Sequence, residues 1–188
     1  MANANKNKGD RGEREARDFL RLHAADLIGH FAKGEYTVAD LDRKLGAGRA
    51  MDTGDIFGFG FDDRAVTIQI KSFKRQYLSQ ALIQAAQGAH VQAKNAKAPL
   101  EYAVGLSIVQ HARVNGTRWL ASCIEWPFDN GEPVILMKSM PAAITHVLKT
   151  GELVTARGIY VAPAHLWLDA LRDRMGLARI AALSEEAS

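Results

Sequence analysis

The sequence predicts an α/β domain: a mixed central β-sheet flanked by helices. Three observations carry that prediction. Residues 9–33, 76–96 and the stretch from about 163 show helical spacing of apolar residues. Short runs between them either alternate or are continuously apolar, as strands do. Glycine, proline and asparagine punctuate the junctions. At 188 residues, 47% of them hydrophobic, the chain is long enough for one well-buried core and too short for two.

The elements follow in order. Residues 1–8 are polar and read as a flexible arm ahead of a single domain over 9–183, with 184–188 a fraying tail. In the first helix Phe19, Leu22, Leu27 and Phe31 form the apolar face, with Ala16 and Ala24 as small packing positions. Asp10 has N-cap chemistry and Glu13 stands at the capping-box spacing from it. Tyr36–Val38 reads as a short strand and Leu45–Gly48 as a loop. Residues 55–60 and 65–71 read as antiparallel strands joined by Phe61-Asp62-Asp63-Arg64. The second helix directs Leu78, Leu82, Ala85, Ala89 and Gln92 or Ala93 inward, and Gln80, Gln84 and Gln87 form a polar stripe. Tyr102–Val109 is a buried-strand candidate. Asn115-Gly116 is the strongest hairpin signal in the chain, pairing 102–113 with 117–125. A strand at Val134–Met137, a helix over 140–149 begun near Pro141 and a strand near 153–161 complete the series. The final helix carries Leu166, Leu168, Leu171 and Met175 on its apolar side.

Composition excludes several classes. Apolar runs such as Ala103–Leu106 and Val134–Met137 are far too short to span a bilayer. The first residues lack the apolar centre of a signal peptide, so a cytoplasmic protein is expected. The lone Cys123 sits in an apolar run and reads as a buried small residue. The six histidines are scattered without partners. Trp119, Trp126 and Trp167 read as core or interface anchors. Net charge is only +3, yet from Arg64 to Leu100 there is no acid, while Arg64, Lys71, Lys74, Arg75, Lys94 and Lys97 are all basic. Such segregation is the footprint of a phosphate-binding face. Lys74, Arg75, Lys94 and Lys97 are the candidate contacts, with Gln84 as an amide donor.

Within 65–71, Val66, Ile68 and Ile70 point one way and Thr67, Gln69 and Lys71 the other. If the preceding segment pairs with this strand, Asp55 lies across from Gln69 and Lys71. An acid, an amide carbonyl and an ammonium then converge, which suits a cation gripping a phosphate.

Gly54-Asp55 followed by Gln69-Ile70-Lys71 resembles the PD-(D/E)XK nuclease superfamily, with glutamine where the family usually has a carboxylate. Lys8-Gly9-Asp10-Arg11-Gly12-Glu13-Arg14 resembles the opening helix of archaeal-type Holliday-junction resolvases, which begins with Lys-Gly and carries a Glu-Arg pair. The resemblance covers about residues 8–110. It implies a restriction-endonuclease-like core and a Mg²⁺- or Mn²⁺-dependent endonuclease acting on branched DNA as a homodimer. DNA would be bound largely without regard to sequence. Asp55 would be the main anionic metal ligand, joined by the Gln69 side-chain carbonyl, the Ile70 backbone carbonyl and Glu13. Lys71 would orient the attacking water or stabilise the transition state. Asp52 is a further acid nearby, more naturally a loop cap. An exonuclease or nicking enzyme on duplex DNA is an alternative. So is a non-catalytic nuclease-fold protein, which the exchange at position 69 favours.

Overall fold

Alternation of Thr67, Gln69 and Lys71 with Ile68 and Ile70 builds the strand about which the architecture is organised. The computed structural model describes residues 4–27, 30–31, 34–35, 42–43, 54–57, 60–61, 64–73, 75–109, 119–127 and 134–175. In chain order the elements are α1 (Ala4–His23), β1 (His30–Phe31), β2 (Gly34–Glu35), β3 (Asp42–Arg43), β4 (Ile56–Phe57), β5 (Gly60–Phe61), β6 (Arg64–Ala65) and β7 (Thr67–Lys71). There follow α2 (Leu78–Ala96), β8 (Ala103–Ile108), β9 (Trp119–Cys123), β10 (Ile135–Leu136), α3 (Met140–Thr150), β11 (Val154–Ala156), β12 (Ile159–Pro163) and α4 (Ala164–Met175). Short 3-10 turns occupy Ala25–Leu27, Arg75–Tyr77 and Leu100–Tyr102.

Among the described residues the main sheet is eight-stranded and mixed, in the order β10-β11-β12-β9-β8-β7-β4-β3. β7 and β8 run parallel, as do β10 and β11; the other neighbours are antiparallel. Parallel neighbours need a long crossover, and α2 supplies the one between β7 and β8. Both faces are covered. On one, Ala16 and Leu20 of α1 and Trp167 and Leu171 of α4 pack on Ile68, Ile70, Val104, Leu106, Trp119 and Ala121. On the other, Leu78 and Leu82 of α2 and Met140 and Val147 of α3 pack on Leu120, Val154 and Val161. The expected α/β organisation, a mixed sheet flanked by helices, is present. Among the described residues no helix is long and apolar enough to cross a membrane.

α2 lies unusually close to the sheet. A Cβ at Gly105 would fall 2.4 Å from the Ala85 Cβ and 2.5 Å from the Ala85 carbonyl carbon. The Ser122 hydroxyl donates to the Leu82 carbonyl at 2.8 Å, fixing the helix at this depth. α3 begins where Ser139 accepts from the Ala142 N–H (3.4 Å), with Pro141 in its first turn, and ends at Gly151 in the left-handed region. Cys123 is fully buried, and burial pushes its thiol far above its ordinary range.

Several boundaries differ from expectation. α1 begins at Ala4, so residues 4–8 are helical and Asp10 lies inside the helix instead of capping it. α1 also stops at His23; Leu27 is buried in a 3-10 turn, and Phe31 lies in β1. The inward face is Ala16 and Leu20, and Leu22 is 76% exposed. The Ala24 N–H still bonds the Leu20 carbonyl at 2.8 Å in the helical pattern, and the chain then tightens, the Leu27 N–H bonding the Ala24 carbonyl at 3.0 Å. The expected hairpin over 55–71 divides: β4 pairs with β7, whereas β5 and β6 form a separate ribbon. The strand near 153–161 is two, β11 and β12, joined by Arg157 and Gly158, both with positive φ. That is the backbone a two-residue hairpin loop requires. His146, expected to lack a partner, contacts Glu152 at 2.8 Å. Tyr36–Val38, Leu45–Gly48, Asp52, Lys74 and the Asn115-Gly116 turn lie outside the described residues.

One ion pair ties α4 to the end of α1. Arg172 donates from Nε to Asp26 Oδ2 at 2.6 Å and from Nη2 to Asp26 Oδ1 at 2.8 Å; Nη2 also reaches the His23 carbonyl at 2.7 Å. Both side chains are largely buried, and the hydrogen bonds from Arg172 hold the Asp26 carboxyl below the usual aspartate range. A depressed carboxyl pKa stabilises the fold above the unfolded value and loses that contribution as pH falls toward the folded one. Arg172→Leu is expected to cost about 1–3 kcal/mol near neutral pH, since it leaves Asp26 unpaired. The cost should shrink below about pH 4, where the unfolded carboxyl is protonated. Urea titrations at pH 7 and pH 3 check this; an equal loss at both would exclude the ion pair as its source.

Candidate functional site

Gly54 sets the geometry. Its φ of +116° belongs to the region that favours glycine, and a Cβ there would crowd the Ile68 carbonyl oxygen at 3.2 Å and nitrogen at 3.3 Å. The chain enters β4 against β7 at that point: the Asp55 N–H donates to the Ile68 carbonyl at 2.8 Å, and Ile56 stands opposite Ile68. Directly opposed residues share a pleat face, so Asp55 meets Gln69 on the face away from Ile56 and Ile68. The side chains touch. Asp55 Oδ2 accepts a short hydrogen bond from Gln69 Nε2 and a second, at 2.6 Å, from the Ile70 backbone N–H.

Gln69 is roofed by α2 and only 8% exposed. Its Oε1 accepts from Gln92 Nε2 at 2.6 Å. Gly88 lies over the same amide: a Cβ there would stand 3.2 Å from Gln69 Oε1 and 3.3 Å from its Cγ. The result is a chain of donors running Gln92 to Gln69 to Asp55. An aspartate carboxylate only accepts, so the Gln69 nitrogen, and not its oxygen, faces Asp55. The sequence leads to the opposite expectation, a Gln69 carbonyl sharing a cation with Asp55; in this arrangement that carbonyl is turned to Gln92.

Lys71 shares the pleat face of Gln69, about 7 Å along the strand, and is half-buried. Its partner in β8 is Ser107, whose buried hydroxyl has no hydrogen-bond partner among the described residues. Ile70 sends its N–H toward Asp55. Since N–H and C=O of one strand residue point to the same edge, its carbonyl lies on that edge too. Glu13 is half-buried on α1, next to Gly12, whose Cβ position is 3.0 Å from the Ser72 Cβ and 3.8 Å from Ile70 Cγ2. α1 therefore meets the end of β7 on the opposite sheet face to Gln69. Among the described residues no three His, Cys, Asp or Glu side chains converge on one point. The oxygens on the Asp55 edge, a carboxylate and a backbone carbonyl, are hard ligands that fit Mg²⁺ or Mn²⁺; the Gln69 amide fits only with its ends exchanged.

The candidates on and at the end of α2 lie elsewhere. Gln84, Lys94 and Lys97 are exposed on α2, while Gln92 and Ala93 face inward, so the body of the helix separates Lys94 from Asp55. Lys94 occupies the last turn and Lys97 the C-cap, where the helix dipole favours cations without any ligand. Arg75 lies in the turn ahead of α2. Trp119 and Trp167 are buried in the core, and Trp126 packs against it.

Gln92 and Gly88 were not legible as site residues. The signal for Gln92 is a polar residue at an inward position of a helix face otherwise made of Leu and Ala. Comparison with family models, curated proteins and solved structures finds no match to this chain.

Proposed function

We propose that the chain is a metal-dependent DNA endonuclease with a restriction-endonuclease-like core. In this reading it is a cytoplasmic, homodimeric enzyme of the Holliday-junction-resolvase kind, using Mg²⁺ or Mn²⁺. The observation that carries the reading is the convergence of Asp55, Gln69 and the Ile70 backbone at the edge of β7, with Lys71 on the same face. Asp55 would hold the cation with the Ile70 carbonyl, and Glu13 would approach from the α1 side. A bound cation would neutralise charge on the phosphate and activate water. Lys71 would position that water or stabilise the developing charge. The acid-free segment 64–100 supports a phosphate partner, with Lys74, Arg75, Gln84, Lys94 and Lys97 as contacts.

A second reading has its own support. With its nitrogen toward Asp55 and its oxygen held by Gln92, Gln69 is arranged as a structural amide, as in a DNA-binding protein that keeps the fold without the activity.

The deciding experiment offers linear duplex, nicked duplex and four-way-junction DNA with Mg²⁺ or Mn²⁺, measuring binding and cleavage separately. Paired nicks in the junction arms are expected. Binding should be largely independent of sequence and fall steeply with salt. Neutralising one phosphate contact should reduce the log–log salt slope by about one. Attack confined to ends or nicks selects the exonuclease or nicking alternative. Binding without cleavage selects the inactive-fold reading, and absence of both rejects a nucleic-acid function.

A further inference from the structure

We propose that Tyr77 is a base-stacking residue. Its ring takes an unpaired base of a DNA strand running beside α2, so the protein selects DNA with a break in pairing over intact duplex. This rests on the DNA-binding part of the reading above and not on its metal chemistry. Among the described Phe, Tyr and Trp side chains, Tyr77 alone is exposed, at 49%. It stands at the N-cap of α2, yet its side chain does not cap the helix; Ser, Thr, Asp and Asn are the residues that do.

The fold places this ring at the end of the sheet that carries Lys71. Leu78, next in the chain, is buried in one cluster with Val109, which follows directly on β8. β7 and β8 run parallel and finish side by side, Lys71 opposite Ser107. Tyr77 and Gly88 are eleven residues apart, close to three whole turns, so they lie on one line along α2. Gly88 stands over the Gln69 amide, which bonds Asp55. Tyr77 therefore lies on the flank of α2 that overhangs β7. It is about 16 Å from Gly88 along the axis, or about five base-pair rises of a duplex.

The surroundings of the ring suit a nucleotide. Gln80 and Gln84, at i+3 and i+7 from Tyr77, are exposed on the same side of α2. The ring offers a flat face, and the neutral amides offer donors and acceptors to a base edge. No acid stands between Arg64 and Leu100, and Lys71, Lys74 and Arg75 precede the ring in sequence, so a phosphate strand is attracted to this turn. A base in an intact duplex has both faces covered, and extracting it costs unstacking. A base in a single-stranded arm is already free. Every base has such a face, so the selection is for unpaired structure and not for sequence.

The test measures binding by the full chain, without divalent metal, to a single strand, a forked duplex with unpaired arms and an intact duplex. Tyr77→Ala should weaken the first two about 5- to 150-fold, the range of one stacked base, and the duplex less than about twofold. Tyr77→Phe should bind as wild type, and Tyr77→Leu, apolar but not flat, should bind as Tyr77→Ala. The log–log salt slope should be the same in all three variants, because no charge is lost. 2-Aminopurine in an unpaired arm should be quenched by wild type and Tyr77→Phe only. Equal loss on all three DNAs, or wild-type binding by Tyr77→Leu, overturns the stacking role. So does tighter binding of the matching RNA strand, which removes the assignment to DNA. A fall in sedimentation mass on Tyr77→Ala also overturns it, since the ring would then be a contact between copies of the chain. No readout uses cleavage, so failure of the nuclease chemistry leaves the result standing. A wild type that binds no DNA overturns both.

Discussion

Gly105→Ala is expected to be the most destabilising glycine-to-alanine change among the described residues. The added Cβ would lie 2.4 Å from the Ala85 Cβ, 2.5 Å from its carbonyl carbon and 2.7 Å from the Ala86 nitrogen. Two of these three atoms are helix backbone, which has no rotamer to escape into. α2 must therefore lift from β8 or tilt. Overpacking a well-filled core costs about 1–3 kcal/mol, and a backbone clash belongs at or above the upper end. The movement also pulls on the Ser122–Leu82 hydrogen bond and on the Gln92–Gln69 contact, which the same helix makes. Ala85→Gly in the same chain should recover only part of the loss, since it removes the Cβ contact and leaves the backbone ones. Gly158→Ala is the contrast: nothing lies within 4 Å of its Cβ, so its cost is the positive φ alone, about 1–2 kcal/mol. Urea midpoints at constant slope measure all three. A Gly105→Ala midpoint equal to wild type would mean that α2 does not sit at the depth described.

What the sequence could show followed the reach of each signal. Period-two alternation in 65–71 correctly separates the α1 face of β7, with Ile68 and Ile70, from the α2 face, with Gln69. Helical spacing finds the inward side of α2, because Leu78, Leu82, Ala85 and Ala89 lie on one stripe and all are buried. In the first helix it places Ala16, Phe19 and Ala24 correctly and errs at Leu22: Leu20 and Leu22 both offer an apolar side chain, and only packing with Trp167 and Trp119 in the same cluster selects Leu20. The Arg157-Gly158 hairpin was missed since only one of its two positive-φ residues is a glycine. At the site, pairing placed Asp55 opposite Gln69, but pattern cannot say which end of an amide faces the acid. That depends on Gln92, which lies 23 residues away in sequence and is brought over the strand only by the α2 crossover.

Asp55→Asn is expected to lower DNA cleavage by about 10²–10³-fold or more while changing stability by less than about 1 kcal/mol. The choice of asparagine follows from the contacts. Asp55 is half-buried, and one of its oxygens serves both the Gln69 amide and the Ile70 N–H. Truncation to alanine strands those two donors and should cost about 1–3 kcal/mol, confusing a folding defect with a chemical one. Asparagine keeps an oxygen where both donors point and removes only the charge. A Mg²⁺ site built on one carboxylate and a backbone carbonyl cannot spare that charge. DNA affinity in metal-free buffer should be unchanged or slightly higher, because a negative group facing phosphate has gone. Asp55→Asn and Asp55→Ala should therefore agree in activity and differ in urea midpoint. If Asp55→Asn cleaves at the wild-type rate with its fold intact, the carboxylate holds no metal. Asp55 would then be a buried acceptor that orders the start of β4, and the active centre would have to lie away from the edge of β7.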